Sequence, residues 1–290
     1  MPRHRTRAIA GLVLACAALL LAPLPAFADP QVLHSEPSQF GKVLVFEENG
    51  ERCMNFNSTT DFGRQTCVDL DEPEKLVFSY TRMMISALVA KPDPKTVLIV
   101  GLGGATLQKT LARLLPDAVI DTVEIDLAVA SVAEQYFGYR QSPKQRLFLE
   151  DGRAYIERAY RAGLQYDMVM LDAFDVDYIP KHLMTLEFLQ HVRGILAPGG
   201  LVVANTFTNS QLYEQESATY AAVFGPFFNL RQGNRVIIAA NGSLPGPDTL
   251  ARRAQAWEAR FEAMGIDQDR LIDQFARVTE LKADIDVLTD

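Results

Sequence analysis

The 290-residue chain is poor in the residue types that build metal centres, with three cysteines and four histidines. No C-x-x-C occurs, and His34, His182 and His191 are scattered, so a zinc-type cluster is not expected. Positive charge is also scarce: 28 Lys and Arg against 36 Asp and Glu leave a net charge of −8. Such a balance speaks against a nucleic-acid partner and is compatible with cationic ligands. A membrane-length apolar run is missing too, since the stretch from Ile9 to Leu21 falls short of the roughly 20 residues a span needs.

That stretch reads instead as the centre of a signal peptide over residues 1–28. Arg3, Arg5 and Arg7 precede it, and Ala26-Phe27-Ala28 supplies the small-x-small pattern of a cleavage site. The expectation is an exported protein, periplasmic or secreted, with no membrane span after cleavage. The segment carries three arginines and no acid, so residues 29–290 are more acidic than the whole chain. Cys16 leaves with it. Cys53 and Cys67 remain, 14 apart, and in an oxidising compartment they are expected to form one disulfide.

Residues 29–78 are rich in β and turn signals. "GKVLVFEENGERCMNF" places two extended runs around Asn49-Gly50, a strong hairpin signal, and "NSTTDFGRQT" reads as a loop. "SYTRMMISALVA" (79–90) has helical apolar spacing and stops at the Pro-flanked "KPDPK". Beyond it, short Val/Leu/Ile runs at 96–101, 120–126, 146–151, 166–173 and 199–207 alternate with amphipathic helices, one of them over 184–197. A late strand is expected at 235–241, and Leu250, Ala254, Trp257, Phe261 and Met264 mark a terminal helix with Trp257 in the core. Near-continuous apolar strands between such helices predict a parallel sheet covered on both faces. The predicted organisation is a signal peptide (1–28), a small N-terminal β domain (29–78) and a Rossmann-like α/β domain (79–290).

In an open α/β sheet, ligands bind outside the carboxyl ends of the strands, and the polar exceptions fall there. "GLGGAT" comes after the first strand, where Gly101, Gly103 and Gly104 allow close backbone approach and a helix N-terminus supplies amide donors. It is not a full dinucleotide fingerprint, because Thr106 stands where the third glycine would be, and a tight turn explains the glycines almost as well. Glu124 ends the second strand, 23 residues after Gly101, placed to accept from two ribose hydroxyls or simply to face water. Asp151-Gly152 ends the third; the aspartate can take an adenine amino group or cap the next helix. The fourth ends in "LDAFDVDYIP", with Asp172, Asp175 and Asp177 close enough to repel one another unless a cation sits among them. Four such strand ends in succession are the pattern of a nucleoside-binding Rossmann-like fold of the S-adenosylmethionine methyltransferase type. Near the end of the fifth strand, Asn205 and Asn209 can line the pocket or cap the next helix.

From Tyr80 to Asn205 the chain resembles the spermidine synthase (aminopropyltransferase) family, in the branch often joined to membrane segments. The residues that carry the likeness are "YTRMM", "VLIVGLGGATL", "VEID", "LEDGRAYI", "YDMVMLDAFDVDYIPKHLMTLEFL" and "LAPGGLVVAN". The resemblance implies that Glu124 holds the ribose and Asp151 the adenine of decarboxylated S-adenosylmethionine. It implies that Asp172 and Asp175 bind and deprotonate an amine acceptor, that Tyr80 lines the site, and that the protein is a homodimer. No tightly bound cofactor is expected. A protonated polyamine must lose a proton before it attacks, which suits clustered carboxylates.

Departures accompany the likeness. The glycine loop is short and lacks the synthases' aspartate; Thr81 and Arg82 stand where they carry His or Gln and then Glu; Val176 replaces a proline. Asp177 is a candidate to compensate, and Arg82 a candidate partner for the carboxylate of intact S-adenosylmethionine. Three readings stand side by side: an aminopropyltransferase on some amine, an S-adenosylmethionine-dependent methyltransferase, and an exported nucleoside- or polyamine-binding protein without turnover.

Overall fold

The computed structural model describes residues 29–60, 64–174, 178–280 and 284–290; the expected signal peptide lies outside them. Two sheets form. The first is an antiparallel meander of β1 (Gln31–Ser38), β2 (Gly41–Glu48), β3 (Glu51–Phe56) and β4 (Thr66–Asp69). Asn49 and Gly50 both take positive φ, 53° and 82°, which gives the β2–β3 hairpin the twist its strands need. Cys53 faces Cys67 across β3 and β4, and the two form the expected disulfide.

The second sheet has eight strands in the order β12-β10-β11-β9-β8-β5-β6-β7. Its parallel part comprises β5 (Thr96–Val100), β6 (Val119–Glu124), β7 (Gln145–Leu149), β8 (Tyr166–Leu171) and β9 (Leu196–Phe207). The rest is antiparallel: β11 (Asn234–Ala240) pairs with β9, β10 (Phe227–Gln232) with β11, and the two-residue β12 (Arg277–Val278) with β10. The expectation of a parallel sheet therefore holds for five strands and ends where a hairpin turns at Gly233, φ +79°.

The helices are α1 (Ser79–Ile85), continued by a 3₁₀ turn at Ser86–Val89, α2 (Thr106–Leu114), α3 (Leu127–Tyr136), α4 (Gly152–Arg161), α5 (Leu186–Gly194), α6 (Tyr213–Phe224), α7 (Pro247–Glu262) and α8 (Gln268–Gln274). Helix α5 is shorter than the expected 184–197. Thr185 caps it by accepting from Phe188 N–H at 3.3 Å, and β9 already begins at Leu196. Trp257 is buried, as expected. No helix among the described residues is long and apolar enough to cross a membrane.

Apolar packing joins the sheets. Val43, Val45, Met54 and Phe56 of the meander pack on Leu102 and on Val129 and Val132 of α3. A polar tie fixes the same contact: Asp126 caps α3 through Ala128 N–H at 2.9 Å and also accepts from Ser38 Oγ (2.6 Å) and Gln39 N–H (3.0 Å). Within the large sheet, β5 sits between β6 and β8, so the chain winds away from it in both directions and a crevice opens at its carboxyl end.

Candidate functional site

A cavity of about 280 Å³ fills that crevice. Its floor is the loop after β5. Gly101 has φ +104°, and a Cβ there would run into the Asp172 carbonyl. Gly104 lies against Thr66 of β4, where a Cβ would strike the threonine side chain. What demands glycine at these two positions is thus the protein's own packing. Gly103, φ +51°, lies at the cavity wall, and Ala105 also takes positive φ (57°) before α2 starts. Thr106 stands 3.2 Å from Thr66, hydroxyl to hydroxyl, across the seam between the sheets.

Glu124, at the end of β6, is 8% exposed. Its carboxylate accepts from Leu102 N–H at 3.0 Å and from Asp126 N–H at 2.9 Å, which pins the glycine loop to the next strand. Burial pushes its pKa up, while the backbone donors pull it partly back. Asp151 caps α4 through Ala154 N–H (3.0 Å), and its other oxygen meets His182 Nε2 at 3.0 Å. Burial alone would raise its pKa; the Ala154 amide and His182 outweigh that and hold it below the usual value. Of the two roles offered for Asp151, the cap is the one seen here; its second oxygen is shared with His182, and the residue lines the cavity. Gly152 lies beside it, and a Cβ there would press on Val100.

Asp172 comes directly after β8 and is half-buried. Burial pushes its carboxyl up to about 7, against the opposing pull of Asn205 and Tyr80. Asn205 Nδ2 donates to it at 2.9 Å, and the Tyr80 hydroxyl, held by α1, donates to it as well. Asn234 of β11 in turn donates to Asn205 Oδ1 at 3.1 Å. A hydrogen-bonded row from β11 through β9 thus ends on the one described carboxylate of the aspartate cluster. Asp175 and Asp177 lie outside the described residues.

The meander closes the cavity from above. Phe40, Met54, Phe56, Gln65 and Thr66 line it, and sequence reasoning names none of them. Nothing in their local pattern separates them from ordinary strand residues; only the docking of β2–β4 on α3 brings them over the glycine loop. Asn205 is legible from its strand end, whereas Asn234 belongs to a hairpin whose position the sequence does not reveal.

The chain and its fold have counterparts among known proteins. Residues 77–228 match the model of the spermine/spermidine synthase domain. The chain is 38% identical over 288 residues to a polyamine aminopropyltransferase of Vibrio vulnificus, covering 96% of this chain and 95% of that one. The chain belongs to the spermine/spermidine synthase family. Its fold is that of a probable spermidine synthase from Corynebacterium glutamicum, with a TM-score of 0.68 at 19% identity over 89% of this chain and 96% of that one. It is also similar to human methyltransferase-like protein 13 in complex with SAH, with a TM-score of 0.59 at 28% identity over 64% and 93%.

One family departure changes meaning in three dimensions. Arg82, placed by the sequence near the cation site or as partner to a methionine carboxylate, does not line the cavity. Its Nη1 donates to the carbonyls of Leu76 (2.5 Å) and Val77 (3.1 Å), closing the approach to α1. Thr81, at the other altered position, does line the cavity and donates to Phe78 O at 2.7 Å. Among the described residues lining the cavity there is no lysine or arginine.

Proposed function

We propose that the protein is an aminopropyltransferase that moves the aminopropyl group of decarboxylated S-adenosylmethionine to an amine acceptor, a polyamine or a related amine. The observation that carries this reading is Asp172, a carboxylate near pKa 7 held by Tyr80 and Asn205 at the wall of a cavity whose far side holds Glu124. A general base works best when its pKa lies near the working pH. Asp172, with Asp175 beside it in sequence, takes the proton of the acceptor ammonium. The freed nitrogen lone pair attacks the aminopropyl carbon next to sulfur. The carbon–sulfur bond breaks, its electrons stay on sulfur, and methylthioadenosine leaves.

The other residues have positioning work. Glu124 keeps lone pairs for the ribose hydroxyls, Asp151 and Gly152 border the adenine, and the loop that Gly101 and Gly104 allow to pack against Asp172 and Thr66 presents Gly103, open toward the cavity, to the sulfonium. Tyr80 and Asp177 serve the acceptor. Buried acids beside a sulfonium and an ammonium stabilise charge in a site that excludes water. The donor is a co-substrate, and no resident cofactor is needed. The absence of a lysine or arginine along the described cavity wall favours a donor that has lost its carboxylate over intact S-adenosylmethionine. The family model's match and the relative's name support the same class. Export through residues 1–28, with the disulfide Cys53–Cys67 formed outside the cytoplasm, belongs to this proposal.

The test is turnover of decarboxylated S-adenosylmethionine with putrescine, monitored by methylthioadenosine release, in parallel with intact S-adenosylmethionine monitored by SAH release. Aminopropyl transfer is expected, with Asp172→Asn lowering kcat by roughly 10²–10⁴. Glu124→Ala is expected to weaken methylthioadenosine binding by about a hundred-fold or more, from two lost hydrogen bonds to a charged group. SAH release instead would establish the methyltransferase reading, and tight nucleoside binding without either product the binding-protein reading.

A further inference from the structure

The last described segment, residues 284–290, lies against the middle of α6 and across the N-terminal ends of α4 and α5, beside the side of the cavity assigned to the adenine. Leu288 is tied on both sides: its N–H donates to Thr219 Oγ1 of α6 at 2.9 Å, and its carbonyl accepts from Leu186 N–H of α5 at 2.7 Å. Asp290 N–H donates to Glu187 Oε2 at 3.1 Å. The Asp290 carboxylate takes both ends of the Arg153 guanidinium, at 2.6 and 2.5 Å, and the Thr185 hydroxyl at 2.8 Å. A forked guanidinium–carboxylate pair is directional as well as strong. Arg153 and Thr185 hold Asp290 well into its ionised range, with a pKa lowered to about 2.

Arg153 is the second residue of α4, next to Gly152 and two places after Asp151. Besides Asp290, its Nη1 donates to the carbonyl of His182 at 3.2 Å, and its Nε to Glu157 at 2.9 Å. His182 is the residue whose ring meets Asp151, and Pro180, His182 and Leu183 form the cavity wall on that side. The contacts therefore run without a gap from the tail, through one arginine, to the acid assigned to the adenine. Thr185, the cap of α5, joins the same carboxylate and fixes the far end of the 180–185 wall.

We propose that Asp290 and Arg153 are positioning residues for the donor nucleoside: the tail acts as a strap that holds the 180–185 wall and, through it, His182 and Asp151 in register. The proposal rests on the donor site assigned above. It predicts a split in the kinetics, because the strap touches the adenine side and makes no described contact with Asp172, Tyr80 or Asn205.

The test compares the parent with Asp290→Asn, which keeps the shape and removes the charge, and with Asp290→Glu as the conservative rescue. Two readouts are taken on the whole protein: hydrogen exchange of the peptide spanning 180–186 without ligand, and steady-state kinetics. For Asp290→Asn the expectation is faster exchange in that peptide and a donor KM about tenfold higher, with kcat and acceptor KM unchanged. Asp290→Glu is expected to restore most of both. Unchanged exchange would overturn the strap. Faster exchange with an unchanged donor KM would overturn its role in the site, as would a loss spread equally over donor KM, acceptor KM and kcat. If the parent itself fails to bind methylthioadenosine, the donor reading falls and takes the positioning role with it, while the exchange result still reports whether the tail holds the wall.

Discussion

Replacing Asn205 by leucine removes a hydrogen-bond donor from Asp172 while nearly keeping the side-chain volume of a residue that is 3% exposed. The sign depends on which form the donor favours. Asn205 stabilises the ionised carboxylate, so its bond lowers a pKa that burial has raised to about 7. Its loss lets the pKa climb further. A hydrogen bond to a charged group contributes about 1.5–3 kcal/mol, which at 1.36 kcal/mol per unit is about one to two pH units. The acidic limb of kcat/KM for the acceptor is therefore expected to move from about 7 to about 8–9. At pH 7 the parent is half ionised and the variant roughly 1–10%, so activity there falls by about 5- to 50-fold. At pH 9.5 most of the loss is expected to disappear. The assay is methylthioadenosine release across pH 5.5–9.5 for both proteins under identical acceptor concentrations. Titration of the amine itself is common to both, so the difference between the profiles isolates the enzyme's group. Among the described residues, the other charged and titratable groups on the same cavity are Tyr80, Glu124, Asp151 and His182, of which Tyr80 bonds to Asp172. A limb that stays put, or a loss of equal size at every pH, would refute the assignment of Asp172 as the base tuned by Asn205.

Arg82 and the disulfide carry two further expected outcomes. Arg82→Met is expected to leave the donor KM within about twofold, because the guanidinium serves the Leu76 and Val77 carbonyls, and to lower stability by about 1–2 kcal/mol in urea unfolding; a large rise in donor KM would put Arg82 back in the site. Joint replacement of Cys53 and Cys67 by alanine opens a loop closed between residues 14 apart and is expected to cost about 3 kcal/mol, read as a lower Tm of the oxidised protein, with no change expected under reducing conditions that already break the bond.

Sequence alone determined the parts of this protein governed by local periodicity and by covalent order. Alternating short apolar strands and amphipathic helices committed the chain to a Rossmann-like sheet, because only that layering buries both faces. The same order brought Gly101, Glu124, Asp151 and Asp172 to successive strand ends, hence to one edge of the sheet. Asn49-Gly50 was legible because turn chemistry is a short-range fact, and the cysteine pair because two cysteines remain once the expected signal peptide is removed; that they face each other across β3 and β4 is a finding of the structure.

Tertiary structure alone decided what each of those residues meets. Arg82 looks like a charge in the cation site and instead points at backbone carbonyls, a choice set by the path of the chain from Leu76 into α1. Asn234 reaches Asn205 only because β11 folds back antiparallel beside β9, a long-range pairing with no periodic signature. The roof made by Phe40, Met54 and Phe56, and the tail that carries Asp290 to Arg153, depend on docking between segments far apart in sequence. Side-chain direction and desolvation are properties of such packed surfaces, so the pKa of Asp172, on which the proposed chemistry turns, exists only once the sheets have closed around it.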